Sequence, residues 1–185
     1  MMIIMRHMIQ RRRKKSVTNY KRRLALLKSG IPRLVIRKTN KHIIMEIAEY
    51  SPIGDKIITT ANSKDLDKLG WVSHSNIPTA YLTGVLLAKK AKEKKFDSNL
   101  ILDTGLYKPI KNNVIFAGAK GCMDSGLKLN SNIDFDKDRI SGKHIEEAAK
   151  DKKFKETLTS YKEKKFDISN MSKLFDEVKI KINGA

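Results

Sequence analysis

The clearest periodic signal in the chain is a two-residue alternation running from residue 33 to about residue 61. In "RLVIRKTNKHIIMEIAEY" Leu34 and Ile36 fall on one face of an extended segment, with Arg33, Val35 and Arg37 on the other. Alternation of this kind predicts a half-buried strand. "KTNK" carries turn chemistry through Asn40, and Ile43, Met45 and Ile47 then alternate with Ile44, Glu46 and Ala48 on a return strand. "SPIGD" predicts a second turn and "KIITTA" a third strand, so this stretch reads as an antiparallel meander.

The period then lengthens. "SKDLDKLGW" predicts a short capped helix, with Trp71 covering one edge of the core. Pro78 opens a helix through "TAYLTGVLLAKKAKEKK", apolar early and basic late, as the helix dipole favours. Gly84 inside it costs about 1 kcal/mol relative to alanine, which predicts a close packing contact at that point. "NLILD" predicts a short strand buried on both faces. After the loop "TGLYKPIKNN", the small residues of "VIFAGAKGCMDSGL" predict a helix lying close on the sheet through Gly118, Gly121 and Cys122. The order β-β-β-α-β-α over residues 33–128 gives an α/β (α+β) class: a three-stranded antiparallel meander plus α-β-α in one mixed sheet.

Two flanking regions complete the organisation. In residues 1–32, Ser16 or Thr18 is expected to cap a helix starting near Asn19, and Gly30 with Pro32 to stop it. Tyr20, Leu24 and Leu27 recur at i, i+4 and i+7, predicting an apolar stripe that docks on the protein while Lys21, Arg22 and Lys28 stay off it. Arg23 lies on the edge of that stripe. Residues 129–185 shift toward Asn, Asp and Lys and carry short amphipathic segments: Ile145, Ala148 and Ala149; Phe154 and Leu158; Met171, Leu174, Phe175 and Val178. Each is too short to be stable alone, so a helical C-terminal extension packed on the core or on a partner is expected.

Charge changes the picture more than composition does. The chain has 39 Lys and Arg against 20 Asp and Glu, a formal charge of +19. Residues 1–45 hold 14 of those cations and no acid, leaving 25 basic against 20 acidic side chains, or +5, for the other 140 residues. The run "RRRKKSVTNYKRRLALLKSG" is the densest part. Like charges this close repel one another, so the asymmetry points to a polyanionic partner met from the N-terminal end. The apolar opening "MMIIM" is too short for a spanning helix or a signal segment, so nucleic acid is favoured over a membrane. Translation can start at Met1, Met2, Met5 or Met8.

Candidate enzyme chemistry is thin. The single Cys122 excludes an internal disulfide, and the four histidines show no metal-ligand spacing, so an intracellular, metal-free protein without cofactors is expected. "DTG" at 103–105 is followed by Leu106 and has no second copy, which argues against an acid-protease pair. A ribonuclease H-like nuclease using Asp103 and Asp124 is the alternative function. Its weakness is a first strand carrying Arg33 and Arg37, which would repel a catalytic magnesium ion.

The motifs "RRRKKSVTNYKRRLALLKSGIPRLVIRKTNKHI", "DKLGWVSHSNIPTAYLTGVLLAKKA", "LILDTGL", "VIFAGAKGCMDSGL", "DRISGKHI" and "FDISNMSKLFDEV" resemble, in order and almost end to end, the large-subunit ribosomal protein L-eighteen family of archaeal type, whose eukaryotic counterpart is L-five. The resemblance implies a non-enzymatic constituent of the cytoplasmic ribosome. Such a protein binds 5S ribosomal RNA and attaches it to the large-subunit rRNA in the central protuberance, among neighbouring ribosomal proteins and not as a homo-oligomer. Carried onto this chain, the RNA-contacting positions are Arg11, Arg12, Arg13, Lys14 and Lys15 of the arm and Lys21, Arg22 and Arg23 of the helix. Arg33, Arg37, Lys38, Asn40, Lys41 and His42 of the first strand and turn join them.

Overall fold

The computed structural model describes residues 14–150, 161 and 168–184. At its centre is a four-stranded sheet in the order β3-β2-β1-β4, formed by β1 Arg33–Lys38, β2 Ile43–Glu49, β3 Lys56–Asn62 and β4 Ile101–Asp103. β1 and β2 run antiparallel, Leu34 opposite Ile47 and Ile36 opposite Met45. β2 and β3 are antiparallel with a register irregularity at Ile47/Ala48, while β4 runs parallel to β1. This is the mixed sheet that the alternation predicts.

β4 departs from expectation. It lies at the sheet edge, and Ile101 and Leu102 are only half-buried. A strand with one neighbour cannot be covered like a central one; the buried apolar residue of the run is Leu100, which bridges to Leu129 just outside the strand. At the other edge, Lys90 Nζ donates to the Thr60 carbonyl at 3.2 Å and Lys94 Nζ to that of Ile58. Lysines that reach over from a neighbouring helix and its C-cap to cover edge-strand carbonyls discourage pairing with another chain.

Among the described residues six α-helices surround the sheet: α1 Tyr20–Leu27, α2 Ile77–Glu93, α3 Val114–Asp124, α4 Lys137–Ser141, α5 Lys143–Ala149 and α6 Met171–Gly184. Asparagines set the starts of α2 and α3. Asn76 Oδ1 accepts from the Thr79 N–H, and Asn113 Oδ1 from those of Ile115 and Phe116. A 3₁₀ helix, Ser63–Leu69, carries a capping box between Asn62 and Asp65 and ends at Gly70, whose φ of 89° is left-handed. α2 and α3 cover the sheet face bearing Leu34, Ile36, Met45 and Ile47.

The small residues of α3 serve a different contact from the one expected. A Cβ on Gly121 would lie 2.2 Å from the Tyr81 carbonyl oxygen, and one on Gly84 2.2 Å from that of Gly118. The two helices therefore touch backbone to backbone, and only Gly118 also meets the sheet, at Met45 Cε. Cys122 belongs to the same seam: its thiol lies 3.5 Å from the Gly84 carbonyl, and burial pushes its pKa up to about 12. Gly121→Ala is expected to destabilise the fold by about 1–3 kcal/mol, because rigid backbone must shift and the gain in helix propensity offsets only part of that. Gly118→Ala should cost less, since the obstructing atom ends a flexible thioether. Urea unfolding of the two variants checks the order.

The described residues of the C-terminal region join the same core. Phe135, Ile140, Met171, Phe175, Val178 and Ile182 are buried in one cluster with Trp71, Tyr81 and the sheet. The stripe on α6 is Met171, Phe175, Val178 and Ile182, with Leu174 only partly buried. Phe175 packs on Trp71 and Tyr81 at ring-centroid distances of 6.2 and 5.6 Å. Trp71 is accordingly central, not at an edge; it is 1% exposed and its indole N–H donates to Thr79 Oγ1 at 2.9 Å. The expected segment around Phe154 and Leu158 lies outside the described residues.

Candidate nucleic-acid interface

α1 reaches the core in a way its hydrophobic spacing does not suggest. Asn19, not Ser16 or Thr18, is the cap, its Oδ1 accepting from the Arg22 N–H at 3.0 Å. Ser16 takes a left-handed φ of 52°, which a capping residue in the extended region does not. No residue of α1 is buried, and Leu24 is 56% exposed, so Tyr20, Leu24 and Leu27 do not form the docking face. The arginines do. Arg23 Nη2 donates to Asp55 Oδ2 at 2.7 Å, and Arg22 donates to Thr104 Oγ1 at 3.0 Å and to the Gly105 carbonyl at 3.2 Å. The groups that meet the helix are a carboxylate, a hydroxyl and a carbonyl, which suit guanidinium groups and not a leucine stripe.

Beneath the helix the same chemistry continues. Arg33 is 2% exposed and donates to Asp103 Oδ2 at 3.2 Å and to Asp55 Oδ2 at 2.6 Å. Arg37 donates to Asp103 Oδ1 at 3.0 Å and to the carbonyls of Ile36 and Asp103 at 2.9 and 2.7 Å. Burial alone would raise the Asp103 carboxyl. Arg37, the Gly105 N–H and Arg33 outweigh it and hold that carboxyl below the ordinary aspartate value. Three guanidinium groups, of Arg23, Arg33 and Arg37, thus share two carboxylates, and Arg22, held by neutral acceptors among the described residues, brings the local surplus to two positive charges.

The loop after β4 is built to receive these groups. Asp103 Oδ1 accepts from the Gly105 N–H at 2.8 Å, and the Tyr107 N–H donates to the Thr104 carbonyl at 3.2 Å, closing a tight turn. Gly105 has a φ of 63°, and a Cβ there would lie 3.0 Å from Arg37 Cζ, so glycine serves both the turn and the seat of the guanidinium. Tyr107 is 40% exposed; its hydroxyl donates to the Lys38 carbonyl at 2.6 Å, tying the loop to the end of β1. Between α1 and this loop lies a cleft of ≈ 380 Å³, walled by Val17, Leu26, Leu106 and Tyr107 and rimmed by Arg22, Arg37 and Lys38.

The hairpin tip extends the cationic surface. Thr39 and His42 close it, with Thr39 N–H to the His42 carbonyl at 2.8 Å and His42 N–H to Thr39 Oγ1 at 3.0 Å. Asn40 and Lys41 are exposed at its apex, and Lys38 and Asn40 also face the loop of His74, Ser75 and Asn76. Of the residues proposed from sequence, Lys14, Lys15 and Lys21 are exposed, and Arg22, Arg23, Arg37, Lys38 and His42 are partly so. Arg33 is the exception. At 2% exposure it has no surface to offer a ligand, and it positions Asp55 and Asp103 instead. Arg11, Arg12 and Arg13 lie outside the described residues.

Asp55, Thr104, Gly105 and Leu106 enter the site without having been proposed for it, and Tyr107, which the sequence offers as a base-stacking ring but favours as a core residue, is 40% exposed. "DTG" marked Asp103 as unusual, and Asp55 is the sole acid between residues 50 and 62, but neither signal names a partner. The two carboxylates of the nuclease alternative are both committed elsewhere: Asp103 to Arg33 and Arg37, and Asp124 to Lys120 and the Tyr81 hydroxyl. Tyr81 is correspondingly held well above its ordinary value, by burial first and then by Asp124. Among the described residues no group of three His, Cys, Asp or Glu is placed to hold a metal ion, and no helix is long and apolar enough to cross a membrane.

Residues 6–99 match the family described as ribosomal large subunit proteins 60S L5 and 50S L18. The match spans the basic helix, the meander and α2, and the chain belongs to that family.

Proposed function

We propose that this member of the large-subunit ribosomal protein family is an RNA-binding structural protein that holds 5S rRNA and attaches it to the large-subunit rRNA in the central protuberance. It acts without a cofactor, beside other ribosomal proteins and not as a homo-oligomer. The observation that carries the reading is the surplus of guanidinium charge where α1, the end of β1 and the 103–107 loop converge. Structured RNA is recognised through phosphates, 2′-hydroxyls and splayed bases, and arginine can meet a phosphate with two parallel hydrogen bonds. Lys14, Lys15, Lys21 and Lys41, all exposed, extend the same surface as point charges.

Binding of a 5S rRNA transcript is therefore expected to fall steeply with salt. With 6–10 phosphates neutralised, affinity drops roughly 10³–10⁵-fold between 50 and 200 mM salt. A titration series on filters measures this directly. An affinity independent of salt, or equal for 5S rRNA and an unrelated folded RNA of the same length, would count against the reading.

A further inference from the structure

We infer that the cleft between α1 and the 103–107 loop is a seat for one unstacked nucleobase and its phosphate, with Tyr107 as the stacking wall. The inference rests on the RNA-binding reading and adds a subsite to it. Three features of the cleft converge on this ligand chemistry. Its walls at Val17, Leu106 and Tyr107 are apolar yet 51%, 57% and 40% exposed, so flat apolar surface faces solvent instead of core. The rim carries Arg22, Arg37 and Lys38, and the guanidinium cluster there exceeds its carboxylates by two charges. An anion with a flat apolar portion satisfies both, and a nucleotide of single-stranded RNA is such a group.

The third feature is rigidity. The Tyr107 hydroxyl is tied to the Lys38 carbonyl at 2.6 Å and its backbone N–H to Thr104, so the ring is fixed before any ligand arrives. Arg22 is likewise fixed by Thr104 and Gly105, neutral acceptors that leave its charge uncompensated. A preset wall and a preset cation lose little freedom on binding. The cavity of ≈ 380 Å³ is within the range of about 300–1,000 Å³ usual for a site holding one small group.

The test uses the full chain and a 5S rRNA transcript. Tyr107→Ala is expected to weaken binding roughly 5- to 150-fold, the worth of one base–aromatic stack, without altering the dependence of log Kd on log salt. Tyr107→Phe, which keeps the ring but releases its tie to Lys38, should lose clearly less than Tyr107→Ala, about two- to fivefold. Arg22→Gln should make the salt dependence shallower by about one unit. Ultraviolet crosslinking of the parent complex should place a nucleotide adduct on the peptide carrying Tyr107. Unchanged affinity of Tyr107→Ala, an equal loss in Tyr107→Phe, or crosslinks confined to other peptides would overturn the subsite and leave general RNA binding standing. Failure of the parent chain to bind the transcript at all would remove the reading beneath it as well.

Discussion

Asp103→Ala is expected to destabilise the fold by about 3–5 kcal/mol, a large share of the stability of a domain this size. The reason is what remains behind. Arg33 is nearly inaccessible to water and Asp103 is one of its two carboxylate partners, so truncation strands a buried cation half-compensated. Arg37 loses its single carboxylate, and the Gly105 N–H loses its acceptor. Asp55→Ala should cost less, about 1–2 kcal/mol, because Asp55 is more accessible and Arg33 keeps Asp103. Pairing Arg33→Met with Asp103→Asn should cost less than the sum of the single changes, since neither partner is then left alone. Denaturant unfolding of the parent, the four single variants and the double variant measures all of this.

The same residue sets an acid limb. The Asp103 carboxyl is held below its ordinary value in the fold, so the unfolded chain takes up the proton first as pH falls. The contribution is complete above the unfolded value and fades as pH drops through the folded one. Asp103→Asn should therefore flatten part of the loss of stability on acidification. Asp65, lowered by Lys90 and the Asn62 N–H against the opposing effect of burial, persists as a second, more exposed contributor. An acid limb identical in parent and variant would mean that the carboxyl is not under this guanidinium field.

The sheet was legible in the sequence because alternation is a local property: Leu34, Ile36, Met45 and Ile47 declare an inner face whatever lies across from them. The crossing of α2 and α3 was half legible. Gly84, Gly118 and Gly121 announce a close approach, but only coordinates show that helix meets helix. α1 was misread for a definite reason. Its apolar spacing predicts which side is greasy, and that side docks only where an apolar surface awaits it. The groups it meets instead are Asp55, the Thr104 hydroxyl and the Gly105 carbonyl, each more than thirty residues away in sequence. Arg33 was assigned outward for the same reason: strand parity puts it on the face opposite Leu34, but parity is silent on what covers that face.

Deleting residues 1–15 is expected to weaken binding to 5S rRNA by roughly 10²–10⁴-fold near 0.1 M salt, taking on the order of 0.5–1 kcal/mol for each lost cation facing a polyanion. Six are removed: Arg6, Arg11, Arg12, Arg13, Lys14 and Lys15. The thermal melt should move little, because Lys14 and Lys15 are exposed and make no ion pair among the described residues, while the Asn19 cap and the arginine ties of α1 are retained. The salt dependence should become shallower by up to about five units, which separates lost phosphate contacts from a general loss of fit. Replacing the arm's cations with glutamine in the full-length chain should reproduce both effects, since charge and not length is the active property. A truncated chain that grips the RNA as tightly as the parent, with the same slope, would place recognition entirely on the folded surface of α1, the hairpin tip and the 103–107 loop.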